Sequence, residues 1–299
     1  MHRVFVTGGT GFVGRSVIQA LRAHGHVVRC LVRRGSESDL KGLEAIERVE
    51  GDVLARRPLA DAMSGCDAII HLVGIIRERP ASGVTFQRLH VEATENVIGA
   101  AADAGVRRLL HMSALGTRVQ ARSRYHQTKW QAEEAVRASD LDWTILRPSI
   151  IHGPGDGFVS MLATLVRRLP VVPVIGSGAG RLQPVSVQVV AEGLARALDQ
   201  GQSIGQTYAV CGPDALTFNQ VLDEIAQVVR GRPARKIHIP VAAVRGLAVV
   251  LDAVPFFPVT VDQLVMLEED NTCDPKPFLG AFDLRDMPFR AGLEAILTR

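Results

Sequence analysis

The sequence predicts an α/β fold, a doubly wound parallel sheet with a smaller, mostly helical C-terminal lobe. Apolar runs of strand length alternate with helical patterns through the first half, as they must where strands are joined by crossover helices. A glycine cluster joins the first run to the first helical pattern, and after Pro148 the texture changes to loops and separately capped helices. Strands are expected at 3–7, 27–32, 47–50, 67–73, 107–112 and 142–147, with helices near 12–24, 58–63, 85–104 and 125–138. The continuous runs Ala68-Ile69-Ile70 and Leu109-Leu110 suit strands buried on both faces. In the first helix Val13, Val17, Ile18 and Leu21 recur at helical spacing, and Gly25 stands where a left-handed C′ residue ends it.

Beyond Pro148, residues 150–157 read as a loop, with short strands near 171–175, 206–210 and 235–239. Thr217-Phe218-Asn219-Gln220 and Thr260-Val261-Asp262-Gln263 both have capping-box spacing. The expected division is 1–150 and 151–299, with some later segments returning to the main sheet and the lobe lying over the strands' C-terminal ends.

The 299 residues suffice for one large domain with a lobe or for two modest domains. A net charge of +3, with basic residues scattered and no aromatic interleaving, argues against nucleic acid as a partner. Cys30, Cys66, Cys211 and Cys273 are far apart and lack metal-ligand spacing. Cys30 and Cys66 lie in or beside apolar runs, which predicts buried free thiols and a reducing compartment. The N-terminus is already the first strand, so no signal peptide is expected. The apolar stretch 241–259 is interrupted by Arg245, Asp252, Pro255 and Pro258, too often for a membrane span. It could instead pack in the lobe or lie on a membrane or a partner.

Thr7-Gly8-Gly9-Thr10-Gly11-Phe12-Val13-Gly14 follows the first strand directly and opens the first helix. Glycines there let the backbone approach a pyrophosphate, and the helix N-terminus presents N–H groups to its charge. Residues 1–150 therefore read as a Rossmann-type dinucleotide-binding domain.

A second constellation lies downstream. Tyr125 and Lys129 are four residues apart on a predicted helix, and the preceding strand ends in Met112-Ser113. Glycine turn, Ser and Tyr-x-x-x-Lys in this order resemble a short-chain dehydrogenase/reductase of the extended or atypical kind, within the epimerase/dehydratase superfamily. The resemblance implies a Tyr125 acid/base whose pKa is lowered by the Lys129 ammonium. It also implies that Lys129 holds the nicotinamide ribose and that Ser113 holds the reacting oxygen. Gly51-Asp52-Val53 resembles the family's adenine-contacting segment, Leu72-Val73-Gly74 its loop beside the adenine ribose, and Arg147-Pro148-Ser149 its turn flanking the nicotinamide. Asp52 could equally be a turn residue. The second strand ends in Arg33-Arg34, where an NAD site usually has a carboxylate. Two guanidinium groups favour NADP(H) over NAD(H).

His90, in His90-Val91-Glu92-Ala93-Thr94, stands where extended members carry an Asn. Gly74-Ile75-Ile76-Arg77-Glu78, residues 86–92 and His152-Gly153-Pro154-Gly155-Asp156-Gly157 resemble bacterial relatives of the dehydrogenase-like accessory subunit of respiratory complex I. Two functions follow from these resemblances. One is an NADP(H)-dependent oxidoreductase or epimerase acting on a carbinol or carbonyl carbon. The other is a structural or assembly factor for a respiratory or quinone-biosynthesis complex, stapled by its nucleotide. A sugar-nucleotide substrate would use a basic residue such as Arg181, and a quinone-like or isoprenoid one would suit the apolar 247–257 stretch. The resemblance leaves a homodimer open. The expected location is cytoplasmic, with contact at the periphery of the inner membrane, through 241–259, as a further option.

Overall fold

The computed structural model describes all residues except 37–39, 41, 44, 45, 244–259, 298 and 299. The 241–259 stretch proposed for partner or membrane contact therefore lies, from residue 244 onward, outside the described residues. Two compact units are present: Met1–Pro148 with Val187–Val210 and Lys276–Arg285, and Ser149–Ser186 with Cys211–Pro275 and Asp286–Arg299.

The first unit is built on β1 (Arg3–Thr7), α1 (Phe12–Ala23), β2 (Val27–Val32), β3 (Glu47–Glu50), α2 (Arg56–Met63), β4 (Ala68–His71), α3 (Ala93–Ala104), β5 (Arg108–Met112), α4 (Arg124–Arg137) and β6 (Asp142–Pro148). Later come β7 (Ile151–His152), α5 (Gly157–Arg168), β8 (Val172–Ile175), β9 (Arg181–Leu182), β10 (Val185–Ser186), α6 (Val187–Asp199) and β11 (Gln206–Val210). The main sheet has seven strands in the order β11-β6-β5-β4-β1-β2-β3, all paired in parallel. Strand order reverses between β1 and β4, where such sheets open a crevice for ligands.

Packing follows from the apolar runs. Phe5, Ile69, Leu109 and Ile145 from four adjacent strands share one core with Leu59, Met63, Val97 and Ala101 from α2 and α3. Each large side chain buried in this way stabilises the fold by about 1.5–3 kcal/mol. On α1 the stripe Val17, Ile18 and Leu21 is buried, and Gly25 ends the helix at φ +78 as expected.

The residues at 85–92 were expected to open a single helix, but Gln87–Glu92 form a π-helical stretch that runs into α3. Of the later segments, β11 joins the main sheet beside β6. Tyr208 on β11 is half-buried, its ring meeting Phe282 at 5.0 Å and Phe278 at 6.2 Å. The 276–285 segment thereby covers the sheet's edge strand.

The second unit holds three two-stranded pairs: β7 with β10, β9 with β12 (Leu216–Thr217), and β8 with β13 (Lys236–Ile239). Its core joins Val159, Leu162 and Val166 of α5 to Leu222 and Ile225 of α7 (Phe218–Arg230), and to Phe289 and Leu293. Both expected capping boxes are formed: Thr217 with Gln220 opens α7, and Thr260 with Gln263 opens α8 (Val261–Leu267).

Cysteine usage needs a correction. Cys30 and Cys66 are buried free thiols as expected, and burial raises both pKa values. Cys211 and Cys273, however, form a disulfide across 62 residues. Within the second unit the fold brings Cys211 to Cys273, which spacing along the chain did not reveal. Cysteine usage therefore gives no argument for a reducing compartment. Among the described residues, no helix is long and apolar enough to cross a membrane.

Candidate active site

The glycine turn lies at the reversal point of the sheet. Gly8 has φ +74, and a Cβ there would meet the Leu72 carbonyl carbon at 3.0 Å and the Val73 nitrogen at 3.1 Å. The loops after β1 and β4 thus abut with no room for a side chain, and Leu72 N donates to Thr7 O at 3.1 Å. A Cβ on Gly14 would strike the Gly8 carbonyl oxygen, so only glycine lets α1 start this close to the turn. Gly11 is the N-cap of α1, with no side chain capping the helix and no acidic residue in its first turn. That leaves the partial positive charge of the N-terminus for an anion. The cradle fits a dinucleotide pyrophosphate. Thr10, Phe12 and Val13 are partly exposed around it, while Gly9 is buried against Cys30.

At the end of β2, Arg33 and Arg34 are exposed, and among the described residues no ion pair is recorded for either. Gly51 follows β3. Asp52 is a turn residue, its Oδ1 accepting from Leu54 N at 3.0 Å, while Val53 is buried in the core. Asp52 itself is exposed.

The strand ends and α4 assemble the second cluster. Ser123 caps α4 by accepting from His126 N. This starts the helix one residue before Tyr125, so Tyr125 and Lys129 lie one turn apart on one face. Lys129 is buried, its Nζ donating to Met112 O at 3.1 Å. A Cβ on Gly74 would lie 3.1 Å from that Nζ, so the ammonium lies against the loop after β4. Burial pushes the Lys129 pKa down to about 8, against an opposing pull from Glu133. Ser113 is buried at the end of β5, with Oγ 3.4 Å from Thr117 Oγ1. The Tyr125 ring sits edge-on to Phe86, His90 and His126 at 5.8, 5.3 and 5.2 Å.

One expectation is overturned. Tyr125 was expected to have a lowered pKa, but burial pushes it up to about 12. Desolvation of the phenolate is the cause.

Beneath these groups runs a buried polar chain of which the sequence had pointed only to Thr7 and His90. Thr7 Oγ1 shares a hydrogen bond with His71 Nδ1 at 2.7 Å, and His71 Nε2 one with Thr94 Oγ1 at 3.2 Å. Thr94 Oγ1 donates to His90 O at 2.6 Å, and His90 Nδ1 shares a bond with Thr128 Oγ1 at 2.9 Å. His90 Nε2 faces the Ile75 backbone at 3.1 Å. The π-helical stretch places it there, a common use of such a stretch. Burial holds His71 down at about 3 and His90 at about 2, so both rings are neutral at physiological pH.

The remaining candidates are placed differently. Arg147 is committed to the buried Glu133, with Nε donating to Oε1 at 2.8 Å. Its guanidinium is thereby held against α4. The Pro148 carbonyl accepts from Leu115 N at 2.8 Å. Ser149 belongs to the second unit, its Oγ donating to Asn271 Oδ1 at 2.5 Å. Arg181 is paired with Asp270, donating from Nε and Nη2 at 2.9 and 2.8 Å.

A doubly wound parallel sheet with a glycine cradle at its reversal point, and a Tyr-x-x-x-Lys helix beside it, defines a dinucleotide-binding protein of the short-chain dehydrogenase/reductase type. A family model described as NAD(P)H-binding matches residues 8–201, and the chain belongs to that family. It is 32% identical over 251 residues to a ceramide reductase of Caulobacter vibrioides, covering 84% of this chain and 77% of that one. It is 29% identical over 279 residues to NADH dehydrogenase [ubiquinone] 1 alpha subcomplex subunit 9, mitochondrial, of Arabidopsis thaliana, covering 89% of this chain and 68% of that one. Among solved structures, gox2253 matches with a TM-score of 0.80 at 25% identity, covering 100% of this chain and 97% of that one.

Proposed function

We propose that the chain is an NADP(H)-dependent oxidoreductase that reduces a carbonyl carbon on an apolar, lipid-like substrate. The placement of Ser113, Tyr125 and Lys129 at the end of β5 and the start of α4, against the loop after β4, carries the reading. When bound, the nicotinamide supplies the hydride. Ser113 Oγ donates to the substrate oxygen. Tyr125 Oη gives that oxygen its proton as negative charge develops there. A Tyr125 pKa of about 12 keeps the phenol protonated at rest, which suits an acid in the reducing direction. Lys129 then offsets the charge left on Tyr125 and binds the ribose. Arg33 and Arg34 meet the additional phosphate of NADP(H).

Two features support an apolar substrate over a sugar nucleotide. Arg181, the basic candidate for a substrate pyrophosphate, is already satisfied by Asp270. Ile76 and Val119, in the loops after β4 and β5, are 58% and 71% exposed. The similarity to a ceramide reductase points the same way.

The test is NADPH oxidation with long-chain ketone substrates. Tyr125→Phe should lower turnover by about 10²–10⁴-fold while leaving nucleotide binding and Tm nearly unchanged. Turnover that survives the change would remove Tyr125 from the acid role.

The similarity to the mitochondrial complex I subunit supports a second reading. In it the nucleotide is a structural staple, and 241–259 contacts a membrane or a protein partner. Nucleotide released only on denaturation, with no exchange against added NADPH, would favour this reading. An empty or rapidly exchanging site would favour the reductase.

A further inference from the structure

Glu133 follows Lys129 by one turn of α4 and Tyr125 by two, and its side chain is fully buried at 0% exposure. A carboxylate in such a place stays ionised only if it is paired. Arg147 on β6 donates to both of its oxygens, and Arg137 one turn further along α4 donates to Oε2. The two guanidinium groups also lie over the Trp130 ring, at 5.7 and 5.1 Å from its centre. Two arginines and a tryptophan therefore fix a carboxylate that takes no part in the chemistry described above.

Lys129, also buried, stands one turn before Glu133 on the same helix face. The ammonium is approached by the Met112 carbonyl from β5 and by Gly74 from the loop after β4. His71 on β4, His111 on β5 and His90 on the π-helical stretch all interact with it electrostatically, and all three are held neutral by burial. Tyr125, on its own helix, is a protonated phenol. None of these groups brings a negative charge. Among the described residues, Glu133 is the one anion acting on Lys129, against the full desolvation of the ammonium.

We infer that Glu133 is a positioning residue: clamped by Arg147 and Arg137, it keeps the buried Lys129 ammonium charged for its work beside the ribose and Tyr125. The role of Lys129 rests on the proposed function, but its charge state can be read without any turnover. The sequence carries the signal in Tyr125, Lys129 and Glu133 at successive four-residue steps. It gives no hint of the burial that makes the last of them matter.

The chain has four lysines, Lys41, Lys129, Lys236 and Lys276, so their side-chain carbons can be resolved by NMR in the full chain labelled with 13C-lysine. Lys129→Arg assigns the signal of interest. In the wild type Lys129 should titrate near the value of about 8 set by burial and Glu133. In Glu133→Gln its midpoint should fall by about one pH unit or more, and Glu133→Asp should bring it most of the way back. Arg137→Gln removes a clamp whose side chain is 26% exposed, so it should fold whatever Glu133→Gln does. It leaves Glu133 less neutralised and should move the midpoint up. An unchanged midpoint in folded Glu133→Gln, or a midpoint that stays or falls in Arg137→Gln, overturns the inference. A chain that titrates as expected but reduces no substrate would instead count against the oxidoreductase reading and leave this one standing.

Discussion

Tyr125 and Lys129 show burial acting on neighbouring groups of opposite kind. Removal from water penalises whichever form is charged, so the phenol rises to about 12 while the ammonium falls to about 8. Both shifts run opposite to those of a surface Tyr–Lys pair, in which the ammonium lowers the phenol and the phenolate raises the ammonium. Cofactor choice is a separate matter at this scale. Arg33→Ala with Arg34→Ala should weaken NADPH binding by about tenfold or more, equivalent to about 1.4 kcal/mol, with little change for NADH. Equal loss for both nucleotides, measured by fluorescence titration, would refute the phosphate-clamp role. Residue types made the glycines, Ser113, Tyr125 and Lys129 legible. They did not reveal that Arg147 and Arg181 are spent on Glu133 and Asp270, because side chains distant in sequence decide which guanidinium groups remain available.

Among the elements, caps and close approaches were readable from short patterns. Thr217 and Thr260 announce their helices because a hydroxyl accepting from the N3 amide is a local arrangement. Thr217→Ala should cost about 1 kcal/mol in denaturant melts, and no loss would mean that the cap contributes nothing to the core α7 helps to build. Gly14→Ala is a sharper change, since its methyl would strike the Gly8 carbonyl and the Gly9 backbone. Displacing α1 from the turn should lower both Tm and nucleotide affinity, and a variant that keeps both would contradict the tight cradle. The π-helical stretch at Gln87–Glu92 was not legible. Its pattern is that of an ordinary helix, and the wider turn matches no local residue preference. What it does is set His90 against Thr128 and the Ile75 backbone.

For the whole molecule, buried histidines set the response to acid. His71, His90 and His152 are held at about 3, 2 and 4, and His111 well below its ordinary value, chiefly by burial. The unfolded chain takes up protons below the ordinary value of about 6.5 while the native chain refuses them. These groups leave stability intact above that pH. As pH falls through it toward the native values, each reduces the folding constant by about tenfold per pH unit. Thermal melts from pH 8 down to 4 should therefore show a plateau and then a steep decline, and stability holding flat to pH 4.5 would mean that the rings are not buried neutral. The Cys211–Cys273 disulfide closes a 62-residue separation. Reduction, or Cys273→Ser, should lower stability by about 2–4 kcal/mol. Identical melts with and without reductant would show that the bond does not form.

By itself the sequence determined the strand and helix alternation of the first 148 residues, the glycine turn, the Tyr-x-x-x-Lys face and both capping boxes. Each depends on residues within about two turns of one another, where periodicity and backbone sterics act directly. The tertiary structure decided which of the later segments, β11 and 276–285, complete the first unit, that Cys211 meets Cys273, and that Tyr125 is too desolvated to lose its proton easily. It also decided that a chain of threonines and neutral histidines runs under the site. These properties depend on which distant segments exclude water from a given atom, and that is set by packing across the whole fold.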